Sequence, residues 1–131
     1  MKTLKFFRFT IAGDKLNIDE LKKMVPLNSN IYYKGVPVEK KIGNKKIFIA
    51  QNTNRWVYSN EVVDFSKPET FLTKNLLTLK KYLPILRTII PNYECRIDLI
   101  LYSGNKTDMC LNIKQMEILN DLKVNLYISF C

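Results

Sequence analysis

The chain has 131 residues, of which 47% are hydrophobic and 25% charged, a size and composition typical of one globular domain with a single core. It contains no histidine, which excludes Ser–His and Cys–His nucleophile pairs and histidine-containing zinc sites. We therefore expect a single domain over residues 1–131 that is not an enzyme and holds no metal and no cofactor.

The N-terminus and the cysteines both bear on where the protein resides. Lys5 and Arg8 interrupt the first apolar stretch and no small-residue cleavage site follows, so the apolar segment of a signal peptide is missing. No stretch approaches the ~20 apolar residues of a membrane-spanning helix. Cys95, Cys110 and Cys131 have neither the number nor the spacing of a disulfide framework or a zinc knuckle. We expect reduced thiols and a cytoplasmic protein without a membrane partner.

A strand followed by a capped helix is predicted at the start of the chain. Phe and Ile interleaved with Thr and Arg indicate a strand over residues 4–12. We expect Gly13-Asp14 to end it in a turn, because Gly tolerates positive φ and Asp bonds the following backbone. Asn17, with Glu20 three residues later, has the spacing of a capping box, and Pro26 ends the helix that follows.

Short strands and a basic hairpin are predicted next. Ile31-Tyr32-Tyr33 is a β-prone run. Residues 36–42 and 45–50 flank Gly43-Asn44, a two-residue turn typical of a β-hairpin. Arg55-Trp56-Val57-Tyr58 indicates a further strand.

A long helix is predicted to begin near residue 66. Ser66 and Glu69 form an S-x-x-E capping box with Pro68 in the first turn. Leucines recur at steps of three and four over residues 72–86, which indicates one buried helix face. We expect Pro84 to kink or split this helix.

The chain is predicted to close with a strand, a helix and a strand. Residues 93–102 alternate between apolar side chains on one face and charged side chains on the other. Asn112, with Gln115 three residues later, repeats the capping-box spacing. A buried helix stripe is predicted after it at helical spacing, formed by Ile113, Met116 and Leu119 and widened by Ile118 and Leu122. Residues 124–130 alternate again and predict the last strand.

Two segments of the chain resemble each other, residues 13–21 and residues 104–116. In each, a strand ends at Gly, a helix opens with Leu-Asn-Ile, and Glu or Gln follows the Asn three residues later. The alternative explanation is that any two Asn-capped helices share this pattern, without a repeated unit. The order β-α-β-β-β-α-β-α-β predicts an α+β fold with one mostly antiparallel sheet covered by helices. A ferredoxin-like arrangement with two pseudo-equivalent strand–turn–helix units is one form of it.

Four short motifs are spaced along the chain: Gly13-Asp14-x-Leu16, Val25-Pro26, Lys34-Gly35-x-Pro37 and Trp56-x-x-Ser59. In this order, between the predicted strands and helices, they resemble domain-of-unknown-function family 4279 of bacterial proteins. The resemblance extends over nearly the whole chain. It implies a small bacterial domain with no assigned activity, and it supplies no catalytic residues. The lysine-rich segment 36–49 departs from the family pattern.

The positive charge lies in the first part of the chain. Residues 1–55 hold 12 Lys and Arg against 4 Asp and Glu, whereas residues 56–131 hold 9 against 8. Basic and aromatic side chains coincide around the predicted hairpin, although a core position is the alternative for the tryptophan. The candidate partner-binding residues are Lys34, Lys40, Lys41, Lys45, Lys46, Arg55, Tyr33 and Trp56.

Several functions remain open from the sequence. We favour a binding module that docks an acidic protein, for example an immunity-type protein that neutralises a toxin, with aromatics anchoring and lysines steering. A nucleic-acid-binding accessory protein is the alternative, although arginine is scarce. A small hydrolase using Asp14 and Asp108 as a carboxylate pair is a remote alternative. The lysines could also be a solvated surface of biased composition. The oligomeric state stays open.

Overall fold

The structure is a computed structural model that describes residues 2–102 and 109–131. Its strands are β1 (Thr3–Gly13), β2 (Ser29–Tyr32), β3 (Val38–Ile42), β4 (Lys45–Ile49), β5 (Asn54–Asp64), β6 (Glu94–Tyr102) and β7 (Asn125–Phe130). Its α-helices are α1 (Ile18–Met24), α2 (Pro68–Lys80), α3 (Leu83–Ile89) and α4 (Ile113–Leu122), and a short 3-10 helix spans Ile90–Asn92. The predicted α+β class is confirmed. The described chain has one strand more between α1 and α2 than the predicted order, and the long helix is divided in two beside Pro84.

Five strands form the main sheet in the order β2-β5-β1-β6-β7. The central strand β1 pairs antiparallel with β5 and with β6, and only the β6–β7 pair among these strands is parallel. β1 takes the centre because Phe7, Phe9 and Ile11 alternate along it and are fully buried. The hairpin β3–β4 forms a separate two-stranded sheet, in which every residue of the two strands except Val38 is exposed.

Each of the two similar segments leads from a strand through a helix to a parallel strand. In the first, β1–α1–β2, strand β5 lies between the parallel strands, which is the split βαβ of ferredoxin-like folds. In the second, β6–α4–β7, the parallel strands are direct neighbours. The two units therefore share their helix and return strand but differ in strand adjacency. Gly104 and its loop lie outside the described residues.

All four helices lie on one face of the main sheet. The core cluster joins residues of every helix to the inward side chains of the strands, among them Phe9, Trp56 and Leu99. The opposite face, which we call the open face, bears no helix in the part of the chain that the structure describes. Within those same residues, none of the helices has both the length and the apolar character needed to span a membrane.

The cap of α4 confirms the predicted capping box, whereas its buried face differs from the predicted stripe. The Asn112 Oδ1 accepts from the Gln115 backbone N–H at 2.8 Å, and the Gln115 Oε1 accepts from the Asn112 backbone N–H at 2.9 Å. Ile118 and Leu122, which widen the predicted stripe, are buried together with Gln115, while Ile113 and Met116 of that stripe are exposed. The buried face is rotated because Gln115 also finds hydrogen-bond partners on α2.

The other two predicted capping boxes are only partly present or wrong. At α1, Asn17 accepts from the Glu20 backbone N–H at 3.2 Å, but the Glu20 carboxylate accepts from the Asn17 side chain rather than from its backbone. At α2 the N-cap is Lys67, not Ser66. The Ser66 hydroxyl donates instead to Asp64 Oδ1, because that carboxylate lies two residues away at the end of β5.

Glycine has different roles at two of the predicted turns. Gly43 has a φ of 62° in the two-residue turn between β3 and β4, as the hairpin prediction required. Gly13 begins the predicted turn, in which the Leu16 N–H donates to the Gly13 carbonyl at 3.3 Å, but its φ is not positive. Close packing explains the glycine instead: a Cβ there would lie 2.5 Å from the Tyr93 Cδ1.

One buried ion pair stabilises the start of β1. Lys5 is 1% exposed, and its Nζ lies 2.9 Å from the Asp64 Oδ1 and 3.0 Å from the Thr3 Oγ1. Hydrogen bonds from Lys5 first, and then from Ser66, lower the pKa of Asp64 to about 2. The Asp64 carboxylate therefore balances the charge of the Lys5 ammonium, because a buried charge is stable only with a partner.

Candidate functional site: an arginine-lined groove

The register of the hairpin divides the predicted lysines between its two faces. Lys40 and Lys45 lie on one face, and Lys41 and Lys46 lie directly opposite each other on the other face. Lys46 also pairs with Glu39, with 3.5 Å between its Nζ and the Oε1. The four hairpin lysines therefore do not form one continuous positive surface.

Lys34 and Tyr33 lie outside the hairpin and bond to carboxylates. The Lys34 Nζ lies 3.2 Å from the Asp14 Oδ2, with both side chains exposed. The Tyr33 hydroxyl donates to the Asp19 Oδ1 at 2.6 Å, and this bond raises the tyrosine pKa. Both residues are thus at the end of the sheet near α1. Asp108, the second member of the predicted carboxylate pair, lies outside the described residues.

Trp56 is the clearest correction to the predicted set. Its exposed fraction is 0%, and its ring meets Phe9 edge-on with 5.9 Å between the ring centroids. The side chain points to the helix-covered face, because residues of β5 alternate and Arg55 takes the open face. A partner at the surface of the folded protein cannot contact Trp56, so we remove it from the candidate set.

A groove on the open face brings together three of the chain's four arginines. Arg8 comes from β1, Arg55 from β5 and Arg96 from β6, and the groove between these strands and the hairpin has a volume of about 680 Å³. Val38, Lys40 and Ile49 line it from the hairpin side. The groove therefore contains two of the predicted residues, Lys40 and Arg55.

A buried aspartate holds two of the arginines in place. Asp98 is 6% exposed, and its Oδ1 lies 2.7 Å from the Arg96 Nη2, while its Oδ2 accepts from the Arg96 Nε at 3.1 Å and from the Arg8 Nη2 at 3.5 Å. The bond to Asp98 raises the pKa of Arg96. Arg96 also stacks 4.0 Å from the centroid of the Tyr127 ring. Such a clamped, stacked guanidinium is preorganised rather than mobile.

The third arginine has no carboxylate partner among the described residues. The Arg55 Nη2 donates to the Gln51 Oε1 at 2.6 Å, and its guanidinium lies 5.0 Å from the centroid of the Tyr32 ring. Lys40 likewise forms no ion pair within residues 2–102 and 109–131. The groove is lined by four cationic side chains and one carboxylate, a net charge of +3, and is suited to an anionic ligand.

Sequence reasoning missed the groove because its arginines are far apart in the chain. Arg8 and Arg96 become neighbours only through the β1–β6 register, in which Arg96 lies opposite Thr10 and Asp98 lies opposite Arg8. The available signal was the alternation of β1 and β6, which assigns all three charged side chains to the face away from the core.

Comparisons with known proteins leave the family open. A scan against protein-family models, a search of curated proteins and a search of solved structures each found no match. The resemblance to family 4279 therefore stays a prediction. In the described ranges, no three Cys, Asp or Glu side chains are grouped so that they could hold a metal ion.

Proposed function

We propose that this protein is a non-enzymatic binding module that docks an acidic protein partner through the arginine-lined groove. The observation that carries the proposal is the gathering of three of the four arginines in one groove with a net charge of +3. Guanidinium groups bind carboxylates through two parallel hydrogen bonds. The proposed partner is still the acidic protein that the sequence favours. The proposed contact site is now the groove, in place of Lys34, Tyr33 and Trp56.

The lysines contribute to this function at longer range. Three exposed hairpin lysines, Lys41, Lys45 and Lys46, lie beside the groove, and the whole chain has a net charge of +9. Such a field accelerates the approach of an acidic protein without forming close contacts. An immunity-type protein that neutralises a toxin is one concrete form of the proposal, and the three unpaired cysteines fit a role in the cytoplasm.

Partner capture with matched variants tests the proposal. Arg55→Gln removes a groove cation, whereas Arg87→Gln removes the remaining arginine, which pairs with Asp121 on the helix side. An acidic protein that the wild type retains from extracts of the native host should be released about tenfold more readily by Arg55→Gln, a change of about 1.4 kcal/mol in binding. Arg87→Gln should retain it like the wild type.

Two results would overturn the proposal. One is equal retention by Arg55→Gln and Arg87→Gln, which would place the contact elsewhere. The other is capture of nucleic acid instead of protein, with retention on immobilised DNA or RNA that falls steeply as salt rises. That second result would favour the nucleic-acid-binding alternative.

A further inference from the structure

The hairpin β3–β4 is an incomplete sheet. It has two strands, and no described strand pairs with either outer edge. Ile42 is 62% exposed and Phe48 is 68% exposed, and Ile47 and Ile49 are exposed as well. A two-stranded hairpin is marginal in water and is stabilised by a third strand or by packing on its faces. The exposed edges and apolar side chains together indicate that the hairpin is completed by another chain segment.

The spacing of the arginines indicates what this segment looks like. In the strand register, Arg96 lies opposite Thr10 and Arg55 lies opposite Ala12, so the three arginines occupy the levels of residues 8, 10 and 12 along β1. Successive levels are separated by two residues, or roughly 7 Å. Side chains on one face of an extended strand have the same spacing. A strand running along β1 above the groove can therefore direct every second side chain at an arginine.

We propose that an extended segment of the acidic partner, with acidic and apolar residues in alternation, adds to the hairpin as a third strand over the groove. This inference rests on the proposed function and names its ligand. The acidic side chains face Arg8, Arg96 and Arg55, and the backbone pairs with the outer edge of β3 or β4. The apolar side chains lie on the outer face of the extended hairpin, the face that carries Phe48.

Two other occupants fit the observations less well. A second copy of this chain would bring another net charge of +9 to a positive groove, which opposes association. A nucleic acid would place phosphates on the arginines, but it would leave Phe48, on the outer face of the hairpin, without an apolar contact and the outer-edge backbone groups without a strand partner. Tyr32, the one aromatic side chain among those lining the described groove, is already covered by Arg55.

Synthetic peptides test the inference with the intact protein. The probe is a fluorescent eight-residue peptide of alternating Glu and Val, and its binding is followed by anisotropy. A scrambled peptide with its four Glu in one block has the same charge, and two analogues N-methylated at the Glu or at the Val positions lose the backbone donors of one edge each. The alternating peptide should bind about tenfold more tightly than the scrambled peptide and than at least one N-methylated analogue.

Two further measurements connect this binding to the groove and the hairpin. Arg55→Gln should weaken the alternating peptide about tenfold, while Arg87→Gln leaves its affinity unchanged. Amide hydrogen exchange should slow along β3 or β4 when the peptide is added, since an added strand engages the outer-edge backbone groups.

Each remaining outcome overturns the inference. Equal binding of the alternating, scrambled and N-methylated peptides, all weakened by Arg55→Gln, would preserve the acidic-partner function and exclude strand addition. No binding of the alternating peptide at millimolar concentration would also exclude it, and the partner-capture experiment then decides the function separately. Tighter binding of an oligothymidylate of equal charge would contradict both proposals.

Discussion

Gln115 should be one of the most costly polar residues to remove from this protein. Its exposed fraction is 0%, and its side chain makes three hydrogen bonds. The Oε1 accepts from the Asn112 N–H at 2.9 Å, and the Nε2 donates to the Glu69 carbonyl at 3.0 Å and to the Thr73 hydroxyl at 2.8 Å. These bonds connect the first turn of α4 to α2, so the substitution Gln115→Ala weakens a cap and a helix–helix contact at once.

The expected loss follows from these contacts. Each hydrogen bond contributes about 1 kcal/mol net, so three contribute about 3 kcal/mol. The lost buried methylene adds about 0.8 kcal/mol, and the free energy of unfolding should fall by about 4 kcal/mol. With a urea slope of about 2 kcal/mol per molar, the unfolding midpoint should fall by about 2 M.

Glu20→Ala is the matched control, because Glu20 occupies the same position in the cap of α1 but is exposed. Among the described residues its carboxylate bonds only to the Asn17 side chain, at 3.3 Å, and a surface substitution of this kind changes stability by about 0.5 kcal/mol or less. Urea unfolding followed by circular dichroism measures both variants. Equal midpoints for Gln115→Ala and Glu20→Ala would show that burial does not strengthen this cap, and the reasoning would fail.

Three further predictions concern the ion pair, the packed glycine and one thiol. Lys5→Met removes the ammonium but fills its space, so the pKa of Asp64 should rise from about 2 towards its ordinary value in a carboxyl NMR titration. Gly13→Ala places a Cβ 2.5 Å from the Tyr93 Cδ1 and should lower the free energy of unfolding by about 1–3 kcal/mol in urea. Burial raises the pKa of Cys95 to about 12, so a thiol reagent at about pH 8 should label it only after unfolding.

The pH dependence of the ion pair has a definite sign. The folded-state pKa of Asp64 is depressed from 3.8 to about 2, so its stabilisation is present above pH 3.8 and is lost as the pH falls towards about 2. Lys5→Met should reduce this acid-dependent part, leaving what the Ser66 hydrogen bonds contribute, and an unchanged acid profile would contradict the role of Lys5. For Gly13→Ala, wild-type stability would refute the close packing. For Cys95, fast labelling of that residue itself, located by peptide mass because the exposed Cys110 and Cys131 react in the folded protein, would refute its burial.

The sequence alone predicted the elements whose signals are local. Pro84 splits the long helix because proline lacks the backbone N–H that an interior helical turn needs. The break lies at Lys81 and Tyr82, and Pro84 stands in the first turn of α3, where that N–H needs no helical partner. Gly43-Asn44 makes the hairpin turn because its backbone twist suits two antiparallel strands. The cap at Asn112 was also predictable, since both of its partners are within three residues.

Features that depend on tertiary neighbours could not be predicted in the same way. Gln115 is buried because α2 offers it a carbonyl and a hydroxyl, and no local pattern in α4 reveals those partners. Arg8, Arg55 and Arg96 share a groove through strand pairings that join residues more than 40 positions apart. The scarcity of arginine counted against an anion site, whereas the location of the few arginines present is what supports one.

The position of Trp56 has a practical consequence for work on this protein. It is the only tryptophan, its buried Nε1 has no hydrogen-bond partner in the part of the chain that the structure describes, and the sheet separates it from the open face. Such an indole should emit at short wavelength and shift to the red only when the core takes up water. Intrinsic tryptophan fluorescence can therefore verify that a groove variant is folded. A ligand bound in the groove, on the other side of the sheet, should leave the emission unchanged.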